Sequence, residues 1–135
     1  MTDRELIRIA IEARKAAYTP YSHFQVGAAL LAADGTVYTG CNVENAAYTP
    51  TNCAERTAFF KAVSEGKREF TAIAIVAAPE GDPLRKTAPC GVCRQVMMEF
   101  CDPATFRIIS AASDEDYEAY TLEQLMPKGF GPSDL

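Results

Sequence analysis

Hydrophobic positions change period several times along the chain, and each change predicts an element. Leu6, Ala10, Ala13 and Ala17 recur at helical spacing. Ahead of them Thr2-Asp3-Arg4-Glu5 has the form of a capping box, with Thr2 as N-cap and Glu5 at the third helical position. That helix is expected to stop near Tyr18-Thr19-Pro20. From Phe24 the period falls to two, which puts Phe24, Val26, Ala28 and Leu30 on one side of a strand reaching Leu31. Asp34-Gly35 is a hairpin signal, and Thr36 to Cys41 returns as a second strand. The polar stretch NVENAAYTPTN, Asn42 to Asn52, reads as a loop.

A second helix is expected from Cys53 to about Glu65, with Gly66 suited to its C-terminal cap. Ala54, Ala58 and Ala62 give it a narrow face that can approach a neighbour closely. Thr71 to Ala78, TAIAIVAA, is almost continuously apolar and predicts a central strand covered on both faces. The loop EGDPLRKTAP then leads to a helix over Cys90–Cys101, a strand over Thr105–Ala111 and a turn at SDED. A strand over Tyr117–Thr121, a short helix over Leu122–Met126 and the tail GFGPSDL follow. Helices alternating with strands predict an α/β sandwich.

The 135 residues suit a single domain, and 48% hydrophobic content can supply one core. Acids outnumber bases by 18 to 13, with no block of Lys or Arg, which argues against a partner gripped through a nucleic-acid backbone. Met1 leads directly into the charged, amphipathic TDRELIRIA, and no apolar run approaches the ~20 residues of a membrane helix. A cytoplasmic protein with a small or uncharged ligand is the expectation. Five cysteines, an odd number without a leader pattern, argue for metal binding or catalysis over a disulfide framework.

The chemistry concentrates at TNCAERTA and PCGVCRQ. Cys90 and Cys93 are three residues apart, so a helical turn puts both thiols on one face. Cys53, Cys90 and Cys93 all fall in the opening turns of helices, where unpaired N–H groups and the dipole favour thiolates. Three such thiolates can converge on zinc. Glu55 lies two residues after Cys53 and so points elsewhere, into the space before the metal rather than onto it. A divalent ion with three thiolates carries net negative charge and is a poor Lewis acid. Arg56 is placed to donate to a cysteine sulfur and withdraw that charge. Two other readings remain. A closed structural zinc site would recruit Cys41 or Cys101 as fourth ligand, although both suit a small hydrophobic role better. A Cys90/Cys93 redox pair would leave Cys53 unexplained. His23 is the only histidine and belongs at the pocket rim.

NCAER followed by PCGVCRQ resembles the zinc-dependent cytidine deaminases, specifically the short homotetrameric type with a three-cysteine ligand set. The likeness extends from YTPYSHFQVGAAL through GCNVENAAY to the last helix. It implies a three-layer α/β/α sandwich with a five-stranded mixed sheet and one zinc per chain. It also implies hydrolytic removal of the 4-amino group of cytidine or deoxycytidine, with Glu55 moving the protons. By the same resemblance Phe24 would stack on the pyrimidine, Asn42 and Glu44 would bond the ribose hydroxyls, and the Ala54 backbone would contact the base. Tyr48 and Phe130 would reach the site of a neighbouring subunit in a homotetramer. An uncharged nucleoside suits that sugar-facing pair better than a nucleotide. A blasticidin S-type deaminase shares the same thiol and glutamate pattern. A zinc-stapled interaction module is the non-enzymatic alternative.

Overall fold

The computed structural model describes residues 1–135. In chain order the elements are α1 (Asp3–Arg14), β1 (Phe24–Ala32), β2 (Val37–Cys41), α2 (Ala54–Ser64), β3 (Phe70–Pro79) and α3 (Gly91–Phe100). Then come β4 (Arg107–Ala111), β5 (Tyr117–Thr121), the single-turn α4 (Leu122–Leu125) and a 3₁₀ turn at Pro132–Asp134. The strands form one five-stranded sheet in the order β2-β1-β3-β4-β5. Only β3 and β4 pair in parallel, so the sheet is mixed, as the resemblance implied.

The apolar run predicted to be central is central. In β3, Ile73, Ala74, Ile75, Val76, Ala77 and Ala78 are all buried, because helices cover both faces. On one face α1 lays Leu6, Ile7 and Ala10 against Ala29, Ala74, Val76 and Ile109. On the other, α2, α3 and α4 cover Ala28, Leu30, Ile73, Ile75 and Ile108, with Phe59, Met97 and Phe106 filling the space between. Each large side chain buried there contributes about 1.5–3 kcal/mol.

The predicted capping box of α1 is present, with Glu5 N–H donating to Thr2 Oγ1 at 3.2 Å and Thr2 N–H donating to Glu5 Oε2 at 2.7 Å. The helix ends at Arg14, short of the expected Tyr18, and its buried stripe runs through Ile7 rather than Ala13 and Ala17. Arg14 instead turns back on the sheet, donating from Nε to Gln25 O at 2.9 Å and from a terminal nitrogen to Ala78 O at 3.0 Å.

Two glycines set how closely the helices lie. A Cβ on Gly27 would fall 2.2 Å from Ala10 O in α1, and one on Gly40 would fall 2.2 Å from Ala54 O in α2. Only a residue without a side chain permits either approach. The register then gathers the chemistry at one edge. β1 begins at Phe24 opposite Pro79, the end of β3, while Cys41 at the end of β2 pairs with Gly27. Both α2 and α3 start from loops leaving that edge, beyond the carboxyl ends of β2 and β3.

Candidate active site

Cys53 is the N-cap of α2 and Cys90 the N-cap of α3; both have extended backbone, and neither side chain is used for capping. Their sulfurs therefore remain free, 3.8 Å apart. Cys93, one turn into α3 and buried, brings its sulfur to 3.5 Å from that of Cys90. All three sulfurs lie within 4.8 Å of one another. A tetrahedral ion about 2.3 Å from each sulfur would hold them about 3.8 Å apart, so the donor set fits zinc in chemistry and spacing. The other thiols are not part of this cluster. Cys41 is half-buried at the end of β2, and Cys101 caps the far end of α3, where burial pushes its thiol up. Neither supplies a fourth sulfur.

The guanidinium of Arg56 donates to Cys53 Sγ at 3.0 Å, in the place expected for it. Its Nε is buried without a partner, an N–H still free to oppose negative charge gathered on the sulfurs. Hydrogen bonding from Cys93 and then from Arg56 outweighs burial and lowers the Cys53 thiol to about 5. Cys93 is pushed well above the ordinary thiol range, first by its neighbour Cys53 and then by burial.

Glu55 does not join the thiols as a fourth equivalent ligand. It lies in the first turn of α2, only 5% exposed, in the wall of a cavity of about 320 Å³. Burial above all, reinforced by the Cys53 charge, pushes its carboxyl up to about 7. A carboxyl so placed can both take and give a proton near neutrality. Cys53, Cys90, Phe24, Asn42 and Glu44 line the same cavity. A second hollow of about 280 Å³ lies at the opposite edge of the sheet around Asp34 and Lys67, and no thiol lines it.

Phe24 opens β1 with its ring half-buried and the Arg85 guanidinium 5.4 Å over its centre. Asn42 is buried and already engaged: its Oδ1 accepts from Val26 N–H at 2.9 Å, and its Nδ2 donates to Phe24 O at 2.8 Å. Glu44 accepts from Tyr21 N–H at 3.0 Å, from Ser22 N–H at 3.1 Å and from the Ser22 hydroxyl. The Ser22 bonds hold its carboxyl below the usual range. Counting valences, Asn42 keeps one N–H and each of the two side chains keeps acceptor capacity, and both residues line the cavity. Ala54 is fully buried in the first turn of α2. Tyr48 and Phe130 lie outside the cavity wall, 73% and 58% exposed. His23 is exposed and does not line this cavity; it faces a separate hollow with Gln25 and Glu80, its Nδ1 3.6 Å from Glu80.

Several contributors were not singled out by the sequence. Gly40 lets the first turn of α2 sit on β2, and a glycine inside a strand was the available signal. Arg94 holds the approach to Cys90, donating from Nε to Pro89 O at 2.7 Å and from a terminal nitrogen to Leu125 O at 2.6 Å. Ser110 donates to Thr87 O at 3.0 Å and fixes the adjoining wall. Arg94 to Leu125 and Ser110 to Thr87 reach backbone carbonyls distant in sequence, which no local pattern announces.

The family profile described as "Cytidine and deoxycytidylate deaminase zinc-binding region" matches residues 1–108. The chain is 52% identical over 135 residues to a cytidine deaminase from Sporosarcina psychrophila, covering 100% of this chain and 96% of that protein. It is also 52% identical, over 134 residues, to the cytidine deaminase of Halalkalibacterium halodurans, covering 98% of each. Among solved structures, the cytidine deaminase from Burkholderia pseudomallei superimposes with a TM-score of 0.87 at 48% identity, covering 96% of this chain and 100% of that one.

Proposed function

The chain belongs to the cytidine and deoxycytidylate deaminase family, and from that premise we propose that it hydrolyses the 4-amino group of cytidine and deoxycytidine, releasing ammonia, with one zinc per chain. The observation that carries this reading is the convergence of three sulfurs, with no fourth, beside a buried carboxylate in the wall of one cavity.

Cys53, Cys90 and Cys93 hold the metal. Zinc in such a site supplies Lewis acidity that makes water nucleophilic at neutral pH. Arg56, already bonded to Cys53, withdraws charge from the sulfurs. Glu55 takes a proton from the attacking water and gives it to ring N3. It then carries the second proton of that water to the departing 4-amino group, which leaves as ammonia while C4 becomes a carbonyl. Acid–base help of this kind contributes about 10²–10⁴-fold. Phe24 supports the pyrimidine face and the Ala54 backbone meets the base. Asn42 and Glu44 offer their remaining valences to the sugar hydroxyls. An anion on that side favours an uncharged nucleoside over a phosphorylated one.

The proposed setting is the cytoplasm, and the proposed assembly is a homotetramer in which Tyr48 and Phe130 each reach a neighbour's cavity. Their high exposure in the single chain supports that role. No helix is long and apolar enough to cross a membrane. The decisive assay is ammonia release, with loss of cytosine absorbance, from cytidine and from blasticidin S in parallel. Turnover of cytidine supports the reading. Turnover of the antibiotic alone would replace it with the nucleoside-antibiotic reading, and no turnover of either by the zinc-loaded chain would leave the interaction module.

A further inference from the structure

The backbone of Phe24 is clamped at both its polar groups, and the clamps lead to the two residues assigned to the sugar. Its carbonyl accepts from Asn42 Nδ2 at 2.8 Å. Its N–H donates to Ser22 Oγ at 3.0 Å, and the Ser22 hydroxyl donates a hydrogen bond to the Glu44 carboxylate. A hydroxyl that donates to an anion is a better acceptor, so the Glu44–Ser22–Phe24 relay is stronger than two independent neutral bonds. The loop needs such holding. His23, between Ser22 and Phe24, has φ of 58°, a left-handed conformation that is uncommon for residues other than glycine. Glu44 also accepts from the Tyr21 and Ser22 N–H groups, so one carboxylate organises the turn into β1. Ser22 itself lines the cavity beside Phe24 and Glu44.

We propose that Ser22 is a positioning residue for the deamination: its hydroxyl ties the aromatic ring that supports the base to the carboxylate that faces the sugar, so both ends of a nucleoside are received in one fixed geometry. The proposal rests on the reading of Phe24 and Glu44 as substrate contacts. It predicts a change in substrate binding with little change in the chemical step, because Ser22 touches neither the thiols nor Glu55.

The test uses the zinc-loaded full chain with Ser22→Ala and Ser22→Thr. Initial rates on cytidine should show KM raised about tenfold by Ser22→Ala, with kcat within about twofold. Amide hydrogen exchange at Phe24 should accelerate by a similar factor. Ser22→Thr, which keeps the hydroxyl, should recover most of both. A Ser22→Ala chain with wild-type KM and unchanged Phe24 exchange would overturn the role of Ser22 alone. So would a fall in kcat without a rise in KM, or a threonine variant as impaired as alanine. A wild-type chain that releases no ammonia from cytidine would overturn the functional reading, and this proposal with it.

Discussion

The two walls of the cavity are built by different means. The thiol wall stands on two helix starts, and its groups are set by packing. Gly40 and the buried Ala54 and Ala58 seat α2 against β2, while the half-buried Arg94 ties the α3 approach to the α4 carbonyl end. The opposite wall is loop and strand start, and it is set by polar side chains. Asn42, Glu44 and Ser22 each bond backbone there: Asn42 to Val26 and Phe24, Glu44 to Tyr21 and Ser22, and Ser22 to Phe24. On the proposed function, rigid elements position the groups that would hold an ion and move protons, and a hydrogen-bonded loop positions the groups that would recognise the nucleoside. Damage to the first wall should therefore appear in the chemical step, and damage to the second in binding.

The largest expected effect comes from Cys93→Ala. It removes the buried member of the three thiols proposed to hold zinc, so zinc per chain should fall and turnover should drop to background, as metal analysis and ammonia release will measure. Glu55→Gln comes next. It keeps all three sulfurs, so zinc content should match the wild type while kcat falls about 10²–10⁴-fold. Loss of zinc in that variant would make Glu55 a ligand and erase the distinction between holding the ion and acting beside it.

A pair of glycine substitutions sharpens the contrast. Gly27→Ala and Gly40→Ala each force a Cβ to 2.2 Å from a helix carbonyl, on opposite faces of the sheet. Each should cost roughly 1–3 kcal/mol of stability by overpacking. Only Gly40→Ala displaces the turn that carries Cys53, Glu55 and Arg56, so only it should lower kcat in the fraction that remains folded. Equal kcat losses in both would mean that the sheet, not the seat of α2, governs the thiol wall.

Much of this was legible in the sequence, for identifiable reasons. The central strand was readable because burial on both faces demands a continuous apolar run. The thiol wall was readable because ligand spacing and helix starts are local features. Cys53 and Cys90 proved to be N-caps rather than first-turn residues, a shift of one position that leaves their sulfurs converging. The ends of α1 and β4 were overestimated: Ala17 continues the helical spacing after the helix has closed at Arg14, and β4 begins at Arg107 rather than Thr105. The recognition wall was less legible. Asn42 and Glu44 look like ordinary loop polarity until the fold brings Phe24, Val26 and Tyr21 to them. Their partners lie roughly twenty positions away in sequence, and periodicity carries no such information.

Asn42→Ala tests that wall directly. It leaves the Val26 N–H and the Phe24 carbonyl without these partners in a part-buried setting, costing about 1–3 kcal/mol. Thermal unfolding should register that loss and KM for cytidine should rise, with kcat comparatively spared. A larger effect on kcat than on KM would contradict the division between the walls.

The smallest expected effect lies away from both. Lys67 bonds to Asp34 at 2.5 Å and, with Thr36, holds its carboxyl at about 2. Because that pKa is lowered on folding, the stabilisation is present above the unfolded value near 3.8 and disappears as pH falls through about 2. Asp34→Asn should flatten the acid limb of the stability curve slightly in that window, as Tm against pH will show, and leave deamination at neutral pH unchanged. Both side chains of this pair are partly open to solvent, which screens it.

The most direct test of the central claim is zinc K-edge X-ray absorption on the purified full chain. Three sulfur neighbours and one light atom are predicted, consistent with thiols that hold the ion and leave a position for chemistry beside Glu55. Four sulfur neighbours would contradict it, because a closed tetrahedron has no place for water.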